Sequence, residues 1–127
     1  SAVTIFSNPV TFEVFPPAFV VTLDPTSPTQ IHRGETLQVK YSARRINGFI
    51  SKIHTELYSA TEEVDGLRGR GVTFVGQTDS GTIQIIANDN ARIGSRPFLR
   101  LYAVGVVEDE AVYHGSCFLP LEVIESP

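Results

Sequence analysis

The sequence predicts an all-β fold, an antiparallel sandwich of about seven to nine strands. Three observations lead there. Aliphatic and β-branched residues alternate with polar ones over short stretches, the period of a half-buried strand. Turn-forming residues recur between those stretches at intervals of roughly 8–15 residues. No stretch carries the spacing of an amphipathic helix.

The clearest unit runs from Gly81 to Val107. Gly81-Thr82-Ile83-Gln84-Ile85-Ile86-Ala87 is nearly alternating and rich in β-branched residues. Asn88-Asp89-Asn90 are turn formers, and Gly94 is free to take a positive φ in the corner that follows. Phe98 to Val104 then reads as a second strand.

Around this unit the chain divides as follows. Residues 1–17 hold two short β-like pieces, Ala2 to Phe6 and Val10 to Phe15, and end at Pro16-Pro17. They read as an edge strand or as a linker from a preceding domain, and residues 18–127 as the sandwich proper. Phe19 to Leu23 is a strand stopped by Asp24-Pro25. Gln30-Ile31-His32 is a brief one before the Arg33-Gly34 turn. From Glu35 to Arg44, Leu37, Val39, Tyr41 and Ala43 share one face and Thr36, Gln38, Lys40 and Ser42 the other. Asn47-Gly48 marks a turn. Ile53, Thr55 and Leu57 then face inward, and Lys52, His54, Glu56 and Tyr58 outward. Residues 59–71 read as the one long connection, acidic first and then Gly- and Arg-rich. Val72 to Gln77 is a short strand and Glu108-Asp109-Glu110 a hairpin tip. Val112 to Glu125 is read as one last strand, with Leu119, Leu121 and Val123 inward and a bulge or edge position at Gly115 and Pro120. An immunoglobulin-like arrangement is the leading topology. A fibronectin-III-like label serves equally, since no Cys…Trp…Cys hallmark exists, and a closed barrel is the runner-up.

Composition sets the outer bounds. A chain of 127 residues is one domain by length, and its 42% hydrophobic and 19% charged content lets it bury a core without staples. The formal charge of −4 gives no electrostatic reason to bind nucleic acid or an anionic membrane. No apolar run approaches the roughly 18 residues of a spanning helix, so direct membrane insertion is not expected. No leader is legible, and a chain beginning at Ser1 says nothing of what precedes it. The lone Cys117 offers neither a disulfide nor metal-ligand spacing.

Several pieces in this order carry a resemblance. They include Phe19-Val20-Val21-Thr22-Leu23 with Pro25, Arg33-Gly34-Glu35-Thr36-Leu37 and Arg45-Ile46-Asn47-Gly48-Phe49. Gly66-Leu67-Arg68-Gly69-Arg70-Gly71-Val72, Ser80-Gly81-Thr82-Ile83, Ala87-Asn88-Asp89-Asn90-Ala91 and Leu99-Arg100-Leu101 complete the set. Over roughly residues 19–124 the chain resembles the Ig-like accessory domains found beside pre-peptidase C-terminal domains in large secreted bacterial proteins. It is also similar to sandwich modules appended to bacterial glycosidases. Arg68-Gly69-Arg70 stands where that pattern usually has a Leu-Pro-x-Gly turn. The resemblance implies an extracytoplasmic, non-catalytic module with a binding or spacing role. Its partners would be neighbouring domains of the parent protein, or a protein or glycan ligand.

The chemistry-bearing residues fit that expectation. His54 and His114 could share a sheet face, but zinc needs further ligands and a supporting shell. Asp79, Asp89 and Asn90 lack the spacing of a calcium loop. Glu62, Glu63, Asp65, Glu108, Asp109 and Glu110 read as solvated loop residues and not as an acid pair across a cleft. In His114-Gly115-Ser116-Cys117, strand alternation sends His114 and Cys117 to opposite faces. No enzyme activity, cofactor or metal is therefore expected. The binding candidate is the long loop: Arg68 and Arg70 could clasp a carboxylate or a sulfated sugar, with Tyr58 and Phe74 near in sequence. The competing idea is a carbohydrate-binding module, which requires two or three exposed aromatic residues in line on a groove or sheet face.

Overall fold

The computed structural model describes residues 17–71 and 80–127, together with the backbone of Thr73–Phe74. The strands are β1 (Phe19–Leu23), β2 (Gln30–His32), β3 (Thr36–Arg45), β4 (Lys52–Tyr58), β5 (Leu67–Arg70) and β6 (Thr73–Phe74). They continue with β7 (Ser80–Ala87), β8 (Gly94–Arg96), β9 (Arg100–Val107), β10 (Glu110–Phe118) and β11 (Leu121–Ile124). The only helical element among the described residues is a 3-10 turn at Glu62–Val64. The reading of residues 1–17 as an edge strand or linker lies almost wholly outside the described residues.

Two main sheets form the sandwich, in the orders β1-β3-β7-β5 and β10-β9-β4-β6. This is the strand distribution of the immunoglobulin type, four strands facing the pair of hairpin strands and their neighbour. A third, small sheet, β2-β11-β8, pairs β11 parallel to β2 and antiparallel to β8.

The alternation of the sequence sets which side chains meet between the layers. Val39, Tyr41 and Ala43 from β3 and Ile83, Ile85 and Ala87 from β7 are buried, as are Ile53 and Thr55 from β4 and Leu101 and Ala103 from β9. Antiparallel register places Val39 opposite Ile83 and Ala103 opposite Thr55, so each pair lies on the same face. Burying one such aliphatic side chain contributes about 1.5–3 kcal/mol, which is why a period of two in the sequence fixes the faces.

The turns follow their chemistry. Asn47 and Gly48 both take positive φ, 55° and 75°. Glu108 and Asp109 do the same at the tip between β9 and β10, with φ of 52° and 65°. At the β9-β10 tip two consecutive left-handed residues make the hairpin turn whose twist matches its strands, while Asn47-Gly48 turns the chain from β3 in one sheet to β4 in the other. Asp24 closes the end of β1 by accepting hydrogen bonds from the Thr26 amide and hydroxyl at 2.8 and 2.6 Å.

Four expectations are corrected. Residues 67–70 are not loop but strand β5, paired with β7 from Leu67↔Ala87 to Arg70↔Gln84. The last segment is not one strand: Leu119-Pro120 breaks it, and β10 and β11 belong to different sheets. Proline has no amide to donate to a ladder, so the chain changes sheets there. The bulge expected at Gly115 lies three residues earlier on the same edge strand: Gly105 faces Tyr113 and Val106 faces Ala111, so Val112 is the extra residue. Phe98 lies before β9 in a turn and is 60% exposed.

Candidate binding faces

The Arg68-Gly69-Arg70-Gly71 run is where the two sheets meet along one edge. Chain crosses from β5, in the first sheet, to β6, which pairs with β4 in the second. A Cβ on Gly69 would lie 2.5 Å from Cβ of Leu57, and one on Gly71 would lie 1.8 Å from the carbonyl oxygen of Thr55. Only glycine lets the backbone run this close to β4. The sequence pattern that reads as a flexible loop is in fact a seam.

This seam sets the positions of the predicted binding residues. With Leu67 and Gly69 turned inward, Arg68 and Arg70 project from the outer face of β5, and both are exposed. A shallow groove of about 660 Å³ lies beside them, lined by Tyr58, Ser59, Val64, Leu67, Arg68 and Arg70 among others. The structure thus brings Arg68, Arg70 and Tyr58 to one groove. The Phe74 side chain lies outside the described residues.

The acidic connection before β5 is pinned, which contrasts with the solvated loop expected from sequence. Glu63 Oε2 accepts the Phe98 amide at 2.8 Å, and Arg96 donates from Nη2 to the Asp65 carbonyl at 3.1 Å. Arg96 is fully buried and also donates from Nη1 to the Gly94 carbonyl. Burial lowers the pKa of its guanidinium, Arg92 adds to that, and Glu63 and Asp65 oppose it. Nε of Arg96 has no hydrogen-bond partner. The group therefore works as a strut between β8 and the connection.

The outer face of the second sheet carries an aromatic row that the sequence reading passed over. On this face β4 presents Tyr58, β9 Tyr102 and β10 His114. The Tyr58 and Tyr102 rings are 5.6 Å apart and the Tyr102 and His114 rings 5.8 Å. The Tyr102 hydroxyl and His114 Nδ1 share a hydrogen bond. Beside the row, the Arg100 guanidinium sits 4.3 Å above the Phe118 ring and donates to Ser116 Oγ at 2.9 Å. Tyr58 and Phe118 are 47% and 50% exposed. The signal was available in the sequence as outward positions of three strands. What it lacked was the register that sets Arg100 opposite both Tyr58 and Phe118.

The remaining candidates stay apart. His54 and His114 do share this face, both opposite Val104 on β9. Two strand spacings separate their backbones by about 10 Å, with Val104 standing between them. No group of three His, Cys, Asp or Glu side chains suited to a metal exists among the described residues. Cys117 points inward, packed against the core, and His114 outward, as strand alternation requires. Burial raises the Cys117 thiol pKa, against smaller lowering effects from the Leu23 backbone and Arg100.

No family model matches the sequence, and no curated protein matches it. Among solved structures, the chain is similar to the crystal structure of the S-layer protein SbsC domains 4 and 5, at 13% identity and a TM-score of 0.50. The match covers 86% of this chain and 54% of that one, so this chain spans about half the length of its structural neighbour. At that identity the likeness is one of fold alone.

Proposed function

We propose that this chain is a non-catalytic immunoglobulin-like module of a larger secreted or cell-surface protein, and that it spaces and docks neighbouring domains outside the cytoplasm. The observation that carries the reading is the exposed aromatic and arginine cluster on the β10-β9-β4 face. Tyrosine and arginine are the residues that dominate protein contacts, because they bring large area and fixed polar groups at small entropic cost. The fold neighbour, a pair of S-layer protein domains, supports the surface setting. The test compares hydrogen exchange of the isolated chain with that of the longer parent polypeptide. Added protection of β4, β9 and β10 in the longer protein is expected. Identical exchange in both overturns the docking role.

A second reading is favoured by the same row. Tyr58, Tyr102 and His114 lie in line at 5.6 and 5.8 Å, which is the arrangement a carbohydrate-binding module needs for stacking sugar rings. Glu56 and Ser116, opposite Tyr102 on either side, could bond sugar hydroxyls. A neutral-glycan array decides it: binding lost in Tyr58→Ala and Tyr102→Ala supports a glycan platform, and no binding leaves domain docking as the use of this face.

A further inference from the structure

The opposite outer face has a different character, and nothing in the docking reading uses it. Strands β1, β3, β7 and β5 contain no Asp or Glu at all, in a chain whose acids outnumber its Lys and Arg by 14 to 10. They contribute Lys40, Arg44, Arg68 and Arg70 to the outer face, all exposed. The one ion pair among the described residues, Arg33 with Glu125, involves none of these four. Asp24, at the end of β1, borders the face beside Lys40; its carboxyl is held below the usual range first by hydrogen bonds from Thr26 and then by Lys40.

Register turns these cations into a stripe. Arg70 is opposite Gln84, which is opposite Gln38; Arg68 is opposite Ile86; Lys40 is opposite Thr82; Arg44 is opposite Val20. Strand spacing and rise put the Arg70 and Lys40 backbones about 12 Å apart and the whole diagonal at about 25–30 Å. Between the charges lie amides and hydroxyls, Gln38, Gln84 and Thr82.

We propose that this face binds a carboxylated polysaccharide, a uronate-containing chain laid along the diagonal from Arg68 to Arg44. Charge complementarity selects an anionic ligand. The guanidinium fork of Arg68 and of Arg70 fits a planar carboxylate with two parallel hydrogen bonds. The intervening amides and hydroxyls suit a hydroxyl-rich chain. A protein partner would want a buried aromatic anchor, and a single-stranded nucleic acid would want stacking rings; the outward positions of these four strands offer neither. The inference goes beyond the docking reading and uses the other sheet.

The test is titration of the protein with polygalacturonate at low and at high salt. Neutral dextran, dextran sulfate, polyglutamate and a DNA oligonucleotide serve as comparison probes. Binding of polygalacturonate is expected, weakened at least tenfold by high salt and by the double substitution Arg68→Glu, Arg70→Glu, with Tyr102→Ala without effect. Arg68→Gln with Arg70→Gln, which removes charge without reversing it, keeps the test informative if the first variant does not fold. No binding at low salt overturns the proposal. So does binding that survives both double variants, or equal or tighter binding of dextran sulfate, polyglutamate or DNA. Loss of binding in Tyr102→Ala alone assigns the glycan to the aromatic face and overturns it as well.

Discussion

The hydroxyls of Tyr41 and Thr55 meet at 2.8 Å in the middle of the sandwich, one from β3 and the other from β4 of the facing sheet. Tyr41 is 3% exposed and Thr55 0%. A buried hydroxyl is costly unless bonded, so this polar link between two apolar layers couples the sheets at one defined position. Tyr41→Phe should destabilise the fold by about 1–3 kcal/mol, because it leaves the Thr55 hydroxyl buried without this partner. Adding Thr55→Val should recover a good part of that loss. Denaturant titration of the single and double variants measures both numbers, and strictly additive losses would falsify the coupling.

The seam glycines should rank by the space each has. Gly71→Ala drives a Cβ to 1.8 Å from the Thr55 carbonyl, and Gly69→Ala one to 2.5 Å from Leu57. Gly48→Ala meets nothing within 4 Å and is opposed only by its φ of 75°. We expect Gly71→Ala to cost most, upwards of about 3 kcal/mol, Gly69→Ala somewhat less, and Gly48→Ala about 1 kcal/mol. Melting temperatures of the three variants check the order.

Removing the Arg96 strut should loosen the acidic connection specifically. Arg96→Met keeps much of the buried volume but strips the donors that reach the Asp65 and Gly94 carbonyls. A global loss of about 2–4 kcal/mol is expected, from the removal of two part-buried hydrogen bonds donated by a charged group. Amide exchange over residues 59–66 should rise more than in β3 or β9. Uniform acceleration across the chain would show that Arg96 acts on the whole core instead.

Alkaline solution should weaken the fold. Burial raises Tyr41 above its ordinary 10.0, the Thr55 bond partly opposing, and burial likewise raises Cys117 above its ordinary 9.0. Each group holds its proton more tightly when folded, so its contribution is fully present below the ordinary value and is lost as pH rises through the folded one. Stability should be flat through neutral pH and fall from about pH 9 upward. Cys117→Ser should move the onset higher. The same protonated, half-buried thiol should react slowly with iodoacetamide at pH 7 and quickly in denaturant.

The sequence by itself determined the all-β class, the inward sets of β3, β4 and β11, and the turns at Asn47-Gly48 and Glu108-Asp109. These are local properties: a period of two and the left-handed tolerance of particular residues do not depend on what packs against them. Tertiary structure decided the rest. Gly69 and Gly71 look like loop residues until the distance to β4 is known. The single apolar run from Val112 to Glu125 divides because β10 and β11 find partners in different sheets. Arg68 and Arg70 stand out in the sequence as an anion clasp, but only the pairing of β5 with β7 and of β7 with β3 places them on one face with Lys40 and Arg44. Faces are sums over strands distant in the chain, and only strand order and register say which side chains become neighbours.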